Sequence, residues 1–291
     1  MRFHKVPGVS IAVFSDGRIL WARAYGLADA DTGQPATPAT LFQAASVSKS
    51  LSAMAAVKEV ERGKLALDRN INEFLKSWKL PENDLTRASP FTLARLLGHN
   101  AGVTVHGFAG YAAGRAVPTL EQILDGKPPA NNAPIRVDEP PGKEYRYSGG
   151  GYTIVQQALV DVEGKPYPAI LDELVLRPLV MTQSTCEQPL PVELLKTAAA
   201  GHDAQGRPIP GKRHTYPEMA AAGLWTTPSD LARFALALDA MLAGKPGGIL
   251  KKETAVKMVA AGPGDYGLGL GIQKRGAGEY FAHGGSYEGF R

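Results

Sequence analysis

Strand-like patterns near both ends of this 291-residue chain limit the folds that it can adopt. Residues 9–14 and 18–25 are apolar runs separated by Asp16-Gly17, a pair that suits the positive φ angles of a tight hairpin turn. Near the other end, residues 266–273 and 279–282 predict two strands around a glycine-rich turn. Because helical patterns fill the region between, we expect an α+β fold in which the terminal strands form one antiparallel sheet.

Helical patterns define the middle of the chain. We predict helices in six segments, which are 46–62, 92–97, 119–124, 152–163, 167–175 and 229–242. Gly63 stands where a C-terminal cap is expected after the first of them. Thr227-Pro228-Ser229-Asp230 has a capping hydroxyl and a proline in the positions that begin a helix.

The composition argues against several classes of function. The 32 Lys and Arg residues exceed the 28 Asp and Glu residues by only four, and they are scattered, which disfavours nucleic-acid binding. No run of 18 apolar residues predicts a membrane span. Cys186 is the only cysteine, so neither an intrachain disulfide nor a cysteine-based metal site is expected. The first residues lack the apolar run of a signal peptide, which leaves a cytoplasmic protein, or a periplasmic or secreted one whose leader was removed.

Several motifs of catalysis and binding are missing from the sequence. It has no Gly-x-Ser-x-Gly elbow of an α/β-hydrolase and no His-Glu-x-x-His, and its six histidines lack the spacing of metal ligands. The Gly149-Gly150-Gly151 run lacks the Lys-Ser/Thr of a phosphate loop. Metal, nucleotide and α/β-hydrolase functions are therefore disfavoured.

Ser46-Val47-Ser48-Lys49 is the first segment whose residue types suit catalysis. It begins the first predicted helix, where a spacing of three places Ser46 and Lys49 on one face. A lysine whose pKa is lowered by burial or by other cations can take the serine proton, and the N-terminal end of a helix favours negative charge on the serine oxygen. Because Ser-x-x-Lys arises easily by chance, a serine near a helix start followed by a surface lysine is the plainer interpretation of this motif alone.

Two glycine-rich segments supply further candidates. Tyr147 stands just before three glycines, where a turn that opens a helix would present its phenol to a cleft. A packed aromatic beside a turn is the alternative. His283-Gly284-Gly285 is predicted on the last strand, where the glycines would let the backbone of another molecule approach closely. A hairpin bend with an incidental histidine is the alternative for this segment.

The three motifs in this order resemble the superfamily of serine β-lactamases and penicillin-recognising DD-peptidases. They are most similar to its class C-like branch of class C β-lactamases, DD-carboxypeptidases, D-aminopeptidases and family VIII carboxylesterases. Five other blocks resemble family segments in the family order: 6–9, 63–68, 96–102, 177–181 and 227–232. The resemblance implies a β-lactamase/transpeptidase-like fold, with the active site between the sheet and a mostly helical region. It implies one catalytic unit, with strands from 1–40 and 264–291 and mostly helices in 41–263.

The resemblance also implies roles for the residues of the first two motifs. Ser46 would be the acylated nucleophile, Lys49 would assist removal of its proton, and Tyr147 would act with Lys49 as base and then as acid toward the leaving group. Lysine and tyrosine side chains ordinarily have pKa values near 10. We expect Lys49, Tyr147 and His283 to lower one another's pKa when they are placed together.

The third motif and the backbone complete the implied site. His283, Gly284 and Gly285 would line the wall opposite the nucleophile and bind substrate. The backbone N–H groups of Ser46 and Ser286 would form the oxyanion hole, a position whose loss costs other enzymes about 10²–10³ in rate. The resemblance implies neither a metal nor an organic cofactor. Histidine in place of the family lysine also occurs in DD-peptidases of this branch, and it would make carboxylate binding depend on pH.

Gly149 departs from the family pattern, which has asparagine at this substrate-binding position. That asparagine helps to hold the amide of a peptide or β-lactam, so its absence favours a carboxylesterase acting on short-chain esters. A β-lactamase, DD-peptidase or D-aminopeptidase is the alternative. A penicillin-binding protein that deacylates slowly and a non-catalytic scaffold are further alternatives.

The two ends of the sequence also depart from the family pattern. Family members have a helix before the block at residue 6, and two strands and a helix after the third motif. Those strands lie between the N-terminal hairpin and the motif strand, so without them the backbone groups of the motif strand would be unpaired. We therefore expect a shortened chain, a fragment of a nicked enzyme, or an enzyme that obtains strands from a partner chain.

Overall fold

The computed structural model of the protein describes residues 1, 3–276 and 278–291. In this range the strands are β1 (Gly8–Ser15), β2 (Arg18–Asp29), β3 (Gln34–Pro35), β4 (Phe42–Gln43), β5 (Trp225–Thr226), β6 (Gly271–Arg275) and β7 (Gly278–Ala282). The first three form an antiparallel sheet in the order β1-β2-β3, whereas β4 pairs with β5 and β6 pairs with β7.

Helices fill the chain between β4 and β6. The α-helices of the described residues are α1 (Ser48–Glu61), α2 (Asp84–Ala88), α3 (Leu93–Leu97), α4 (Leu120–Asp125), α5 (Gly149–Glu163), α6 (Tyr167–Leu171), α7 (Met219–Ala222), α8 (Pro228–Leu242) and α9 (Lys252–Val259). A 3-10 turn (Ala45–Val47) leads into α1, and a π-helical turn (Asp172–Leu176) follows α6. None of these helices is both long and apolar enough to cross a bilayer. The α+β class is confirmed.

The terminal strands lie in separate sheets, which differs from the single sheet that the sequence predicts. Among the described residues, no ladder joins the β1-β2 hairpin to the β6-β7 hairpin. A cavity of about 760 Å³ is lined both by residues 8–10 of β1 and by residues 287–291, which follow β7. Residues 8–10 of β1 and residues 287–291 therefore border the same open space instead of pairing as neighbouring strands.

Local sequence signals place several elements correctly. Asp16 and Gly17 have φ angles of 51° and 76°, the two positive values that a two-residue hairpin turn needs. The side chains of Thr92, Thr119 and Thr227 accept hydrogen bonds from the first turns of α3, α4 and α8. The predicted N-terminal hairpin and these three helix starts are confirmed.

The start of α5 differs from the prediction. The helix begins at Gly149 instead of Tyr152, because the Ser148 side chain caps it by accepting the N–H of Gly151 at 2.9 Å. Packing then requires small residues, since a Cβ on Gly150 would lie 2.7 Å from the carbonyl oxygen of Thr104. The contacts of this turn therefore outweigh the low helix propensity of glycine.

The boundaries of the last hairpin also differ from the prediction. Its first strand begins at Gly271 instead of Tyr266. Its second strand ends at Ala282, where the sequence predicts its end. Because Gly271 is the partner of Ala282, the chain beyond Ala282 has no strand to pair with in this hairpin. Residues 283–285 consequently follow β7, although the sequence predicts them on the last strand.

Helix α1 is enclosed by the core, with residues 48–57 buried. Two of its serines donate hydrogen bonds to backbone carbonyls of other segments. Ser50 Oγ donates to the carbonyl oxygen of Gly269 at 2.7 Å, and Ser52 Oγ donates to that of Ala220 at 2.8 Å. These buried bonds fix α1 against α7 and against the loop before β6.

The short helix α7 is held by α5 as well. Gln156 of α5 donates from Nε2 to the carbonyl oxygen of Pro217 at 3.0 Å, and its Oε1 accepts the N–H of Ala220 at 2.9 Å. Both contacts join side chain to backbone in the interior, where unpaired polar groups are costly. One glutamine thereby fixes both the approach to α7 and its first turn.

Replacing Gln156 with leucine should destabilise the protein through these two backbone groups. Each buried group left unpaired costs about 1–3 kcal/mol of unfolding free energy. Urea unfolding measures the loss, and the same substitution at the exposed Gln273 of β6 is the control, with an expected change within about 0.5 kcal/mol. Equal effects at the two positions would contradict the assignment of α7 as a segment held by Gln156.

Candidate active site

Ser46 lies in the 3-10 turn before α1, and its side chain is partly exposed. The preceding residue, Ala45, has a φ of 49°, a left-handed conformation that alanine seldom adopts. Gly285 packs against this turn so closely that a Cβ on it would lie 2.2 Å from the carbonyl oxygen of Ala44. The chain after β7 therefore passes beside the turn of Ser46, and only glycine fits at the contact.

Lys49 follows one turn later on α1 and is only 2% exposed. Its Nζ lies 3.1 Å from Ser46 Oγ and donates a hydrogen bond to the carbonyl oxygen of Ala221 at 2.7 Å. Burial lowers the pKa of Lys49 from 10.5 to about 7. A large fraction of the side chain is therefore neutral at pH 7, with a lone pair that can accept the Ser46 proton.

Tyr147 stands two residues before α5, and the centroid of its ring is 5.0 Å from Lys49 Nζ. Burial raises the pKa of its phenol to about 12, and a hydrogen bond with Ser46 opposes that rise. The prediction that Lys49, Tyr147 and His283 lower one another's pKa is therefore wrong for Tyr147. Loss of solvation penalises the phenolate more than its neighbours stabilise it.

His283 faces Tyr147, with 6.4 Å between the ring centroids. Burial lowers the pKa of His283 to about 4, and the charge of Lys49 acts in the same direction. Its Nδ1 lies 2.6 Å from the carbonyl oxygen of Gly284, whereas its Nε2 is buried with no partner among the described residues. This histidine is consequently neutral at pH 7 and offers one free polar atom beside the tyrosine.

The structure brings the side chains of Ser46, Lys49, Tyr147 and His283 together. Ser286 follows the Gly285 contact and is exposed. The roles that the resemblance implies for these residues, including the oxyanion hole at Ser46 and Ser286, stay predictions. The arrangement can move a proton from a hydroxyl to a neutral amine and supply another from a protonated phenol.

Gly149 has little space for a side chain. Its N–H donates to the carbonyl oxygen of His106 at 3.0 Å. A Cβ on Gly149 would lie 3.0 Å from Cε2 of Phe108 and 3.2 Å from that carbonyl oxygen. The wall two residues beyond Tyr147 is therefore formed by an aromatic ring and carries no side-chain amide of residue 149.

Aromatic residues that no sequence motif indicates surround Tyr147. The ring centroid of His99 lies 4.2 Å from that of Tyr147, and the centroid of His106 lies 4.9 Å away. Tyr266 lies 4.8 Å from His99, and its hydroxyl is buried with no partner in the described part of the chain. His99 belongs to the block 96–102 that resembles the family, but the pattern of that block does not reveal its contact with residue 147.

The described residues offer no cluster of metal ligands. Within residues 1, 3–276 and 278–291, no three His, Cys, Asp or Glu side chains are grouped so that they could hold a metal ion. Cys186 is buried, and burial raises the pKa of its thiol, so it is neither a thiolate ligand nor an activated nucleophile at neutral pH.

Sequence comparison finds relatives of this chain. The Beta-lactamase family model matches residues 1–291. Protein flp of Staphylococcus aureus (strain N315) is 27% identical over 228 residues, which make up 77% of this chain and 42% of that protein. The chain thus spans less than half the length of such curated relatives.

Structural comparison finds similar proteins over nearly the whole chain. The octameric penicillin-binding protein homologue from Pyrococcus abyssi superposes with a TM-score of 0.79 at 28% identity, over 98% of this chain and 66% of that one. The D-amino acid amidase from Ochrobactrum anthropi SV3 superposes with a TM-score of 0.77 at 25% identity, over 98% and 80% of the two chains. The β-lactamase/transpeptidase-like fold that the sequence predicts is confirmed.

The lowered pKa of Lys49 should appear in the pH dependence of stability. Between pH 7 and 10 the unfolded chain holds a proton on Lys49 that the folded chain has lost, so the free energy of unfolding rises with pH. Relative to Lys49→Met, the wild type should gain about 1.3 kcal/mol per pH unit between pH 8 and 9, and about half as much at pH 7, where the folded form still holds part of this proton. Urea unfolding at each pH measures this slope.

Lys274→Met, which removes an exposed lysine of β6, is the matched control for the loss of an amine. Parallel stability curves for the wild type and Lys49→Met across this range would contradict a lowered pKa at Lys49.

Proposed function

Because this chain belongs to the Beta-lactamase family, we propose that it is a serine hydrolase that forms an acyl-enzyme on Ser46. The resemblance to serine β-lactamases and penicillin-binding proteins is confirmed by the family match and the similar structures. One contact carries the proposal: a buried amine with a pKa of about 7 lies 3.1 Å from the Ser46 hydroxyl. A serine is a weak nucleophile until an adjacent base takes its proton, and Lys49 is that base.

The acylation step uses Lys49 as base and Tyr147 as acid. Lys49 Nζ takes the proton of Ser46 Oγ while Oγ bonds to the substrate carbonyl carbon. The carbonyl oxygen becomes negative and accepts hydrogen bonds from the N–H groups of Ser46 and Ser286. As the bond to the leaving group breaks, Tyr147 gives its proton to that group and regains one from Lys49. A phenol with a pKa of about 12 is protonated at neutral pH and can serve as this acid.

Deacylation reverses the proton path with water as the nucleophile. Water adds to the acyl carbon and loses a proton to Lys49, the bond to Ser46 Oγ breaks, and Oγ receives that proton. The acyl group leaves as a carboxylic acid. The carbonyl oxygen of Ala221 keeps Nζ in place through both steps, because it accepts from an N–H that takes no part in the transfer.

Short-chain esters are the substrate class that we propose. Residue 149 has no side-chain amide, and Cε2 of Phe108 lies 3.0 Å from the position that a Cβ on this residue would take. An amide substrate would lose a hydrogen-bonding partner there, and a polar group left unpaired in a closed site weakens binding. An ester has no N–H to satisfy and suits an apolar wall better.

An amide of a D-amino acid is the second candidate substrate. The D-amino acid amidase from Ochrobactrum anthropi SV3 is similar over 98% of this chain. An amine leaves only after it is protonated, and Tyr147 holds a proton near the nucleophile at neutral pH. The family match also makes a β-lactam a substrate to test.

Ser46→Ala should abolish ester hydrolysis. We expect the wild type to hydrolyse p-nitrophenyl acetate and butyrate, and the variant to lose about 10³-fold or more of that rate because the nucleophile is gone. Release of p-nitrophenol measures the rate, and intact mass detects an acyl adduct on the wild type only. Ser15→Ala in the exposed hairpin is the control.

D-phenylalanine amide and a chromogenic cephalosporin are assayed beside the esters. Ester turnover with little turnover of the other two supports the esterase. Faster turnover of the amide would reassign the enzyme as an amidase, and a lasting cephalosporin adduct would indicate a slowly deacylating penicillin-binding protein. No turnover and no adduct with any substrate would contradict the hydrolase proposal.

The rate should depend on pH through the ionisation of Lys49. Only the neutral amine can take the serine proton, so kcat/KM for the ester should rise about tenfold per pH unit below pH 7 and level off above it.

Burial raises the pKa of Glu218 to about 8, so this carboxyl also titrates near neutral pH. The rising limb should persist in Glu218→Gln. Its disappearance in that variant, or a rate that falls from pH 5 to 7, would exclude Lys49 as the titrating base.

A further inference from the structure

His99 contacts the segment of Tyr147 in three ways. Its carbonyl oxygen accepts the N–H of Arg146 at 2.6 Å, and its Nδ1 accepts the N–H of Ser148 at 3.1 Å. Its ring lies against the Tyr147 ring, with 4.2 Å between centroids and 37° between planes. One histidine therefore binds the residues on both sides of Tyr147 as well as its side chain.

The protonation state of His99 suits these contacts. The residue is 2% exposed, and burial together with the charges of Lys49, His283 and His106 keeps its pKa well below the ordinary histidine value. The imidazole is therefore neutral, with the lone pair on Nδ1 and the proton on Nε2. Nε2 has no partner among the described residues, so the bond through Nδ1 is the one that orients the ring.

The backbone of His99 is also unusual. Its φ of 56° lies in the left-handed region, which costs about 1–2 kcal/mol for an ordinary residue and less for asparagine or glycine. The neighbouring Asn100 also bonds to the segment before α5, because its carbonyl oxygen accepts the N–H of Gly142 at 2.6 Å. The loop after α3 thus runs beside residues 142–148 and meets Tyr147 at His99.

We propose that His99 is a positioning residue that holds the phenol of Tyr147 in place against Ser46 and Lys49. The inference rests on the proposed function, in which Tyr147 passes protons between Lys49 and the leaving group. Tyr147 lies outside α5, so no helical hydrogen bonds fix its backbone, and the two bonds to His99 replace them. The ring contact then limits rotation of the side chain. A displacement of about 1 Å at a proton-transfer group can cost about 10² in rate.

Two substitutions separate the hydrogen bond from backbone strain. His99→Gly tolerates the positive φ but removes both the acceptor and the ring, whereas His99→Asn tolerates it and keeps an acceptor near the Nδ1 position. We expect His99→Gly to lower kcat for the ester about 10²-fold with KM changed less than about threefold. His99→Asn should restore kcat to within about tenfold of the wild type, since it lacks only the ring contact.

His202→Gly is the matched control. His202 accepts the N–H of Ala30 through Nε2 at 3.2 Å. Its replacement therefore removes an imidazole and one hydrogen bond to the backbone, but at a place distant from Tyr147. Thermal unfolding of all variants checks that each is folded at the assay temperature. Equal losses of kcat in His202→Gly and His99→Gly would reduce the effect to general destabilisation and overturn the proposal.

A double-mutant cycle with Tyr147→Phe tests whether His99 acts through the phenol. If it does, His99→Gly, which lowers kcat in the wild type, has no further effect on kcat in the Tyr147→Phe background. Additive effects would overturn the proposal. The Tyr147→Phe single variant reports separately on the proposed function, because an unchanged kcat there would remove Tyr147 from the mechanism whatever the cycle gives.

Crystal structures of the wild type and His99→Gly provide a readout that needs no activity. We expect the Tyr147 hydroxyl to shift or to lose density while Ser46 and Lys49 stay in place. An unmoved, ordered phenol in the variant would overturn the proposal even if the wild type proved inactive. His99→Ala, which also lacks both the acceptor and the ring, serves for this purpose if His99→Gly fails to fold.

Discussion

The burial of Lys49 is the constraint on which the rest of the site depends. An amine that is 2% exposed, with a hydroxyl and a carbonyl oxygen as its hydrogen-bond partners in the described part of the chain, loses the solvation that keeps lysine charged. The protein thereby carries an unfavourable group in its core, and the surrounding fold must compensate for it. The same burial that destabilises the ammonium form produces a base next to Ser46. Stability and reactivity are opposed at this position.

Several elements of the fold hold this amine and the neighbouring Tyr147 in place. Helix α1 carries Lys49, α7 offers the carbonyl oxygen of Ala221, and Gln156 of α5 fixes α7 through two buried bonds. The loop after α3 supplies His99, which meets the segment of Tyr147. The groups that hold Lys49 and Tyr147 thus come from different elements, so the geometry of the site depends on the packing of the helices and on buried polar contacts.

Much of the fold and part of the site follow from local sequence patterns. Asp16-Gly17 predicts its hairpin, and the threonines at 92, 119 and 227 mark helix starts, because turns and caps are decided by neighbouring residues. Ser148 is a local cap that starts α5, but no local pattern explains the glycines at 149 and 150, which contacts with the loop of residues 104–108 select. The phenol of Tyr147 likewise has a raised pKa because of enclosure by residues far away in sequence. Whether a polar group is buried depends on the tertiary structure. A sequence motif indicates only which side chains can come into contact.

The mechanism requires that Lys49 lose its proton near pH 7 in the folded protein. An NMR titration with ¹³Cε-labelled lysine, in which the Lys49 signal is assigned by its absence in Lys49→Met, measures this ionisation without any substrate. The account predicts a Lys49 signal that titrates with a pKa of about 7. A Lys49 signal that titrates near 10, the ordinary value for lysine, would contradict the assignment of this residue as the base for Ser46.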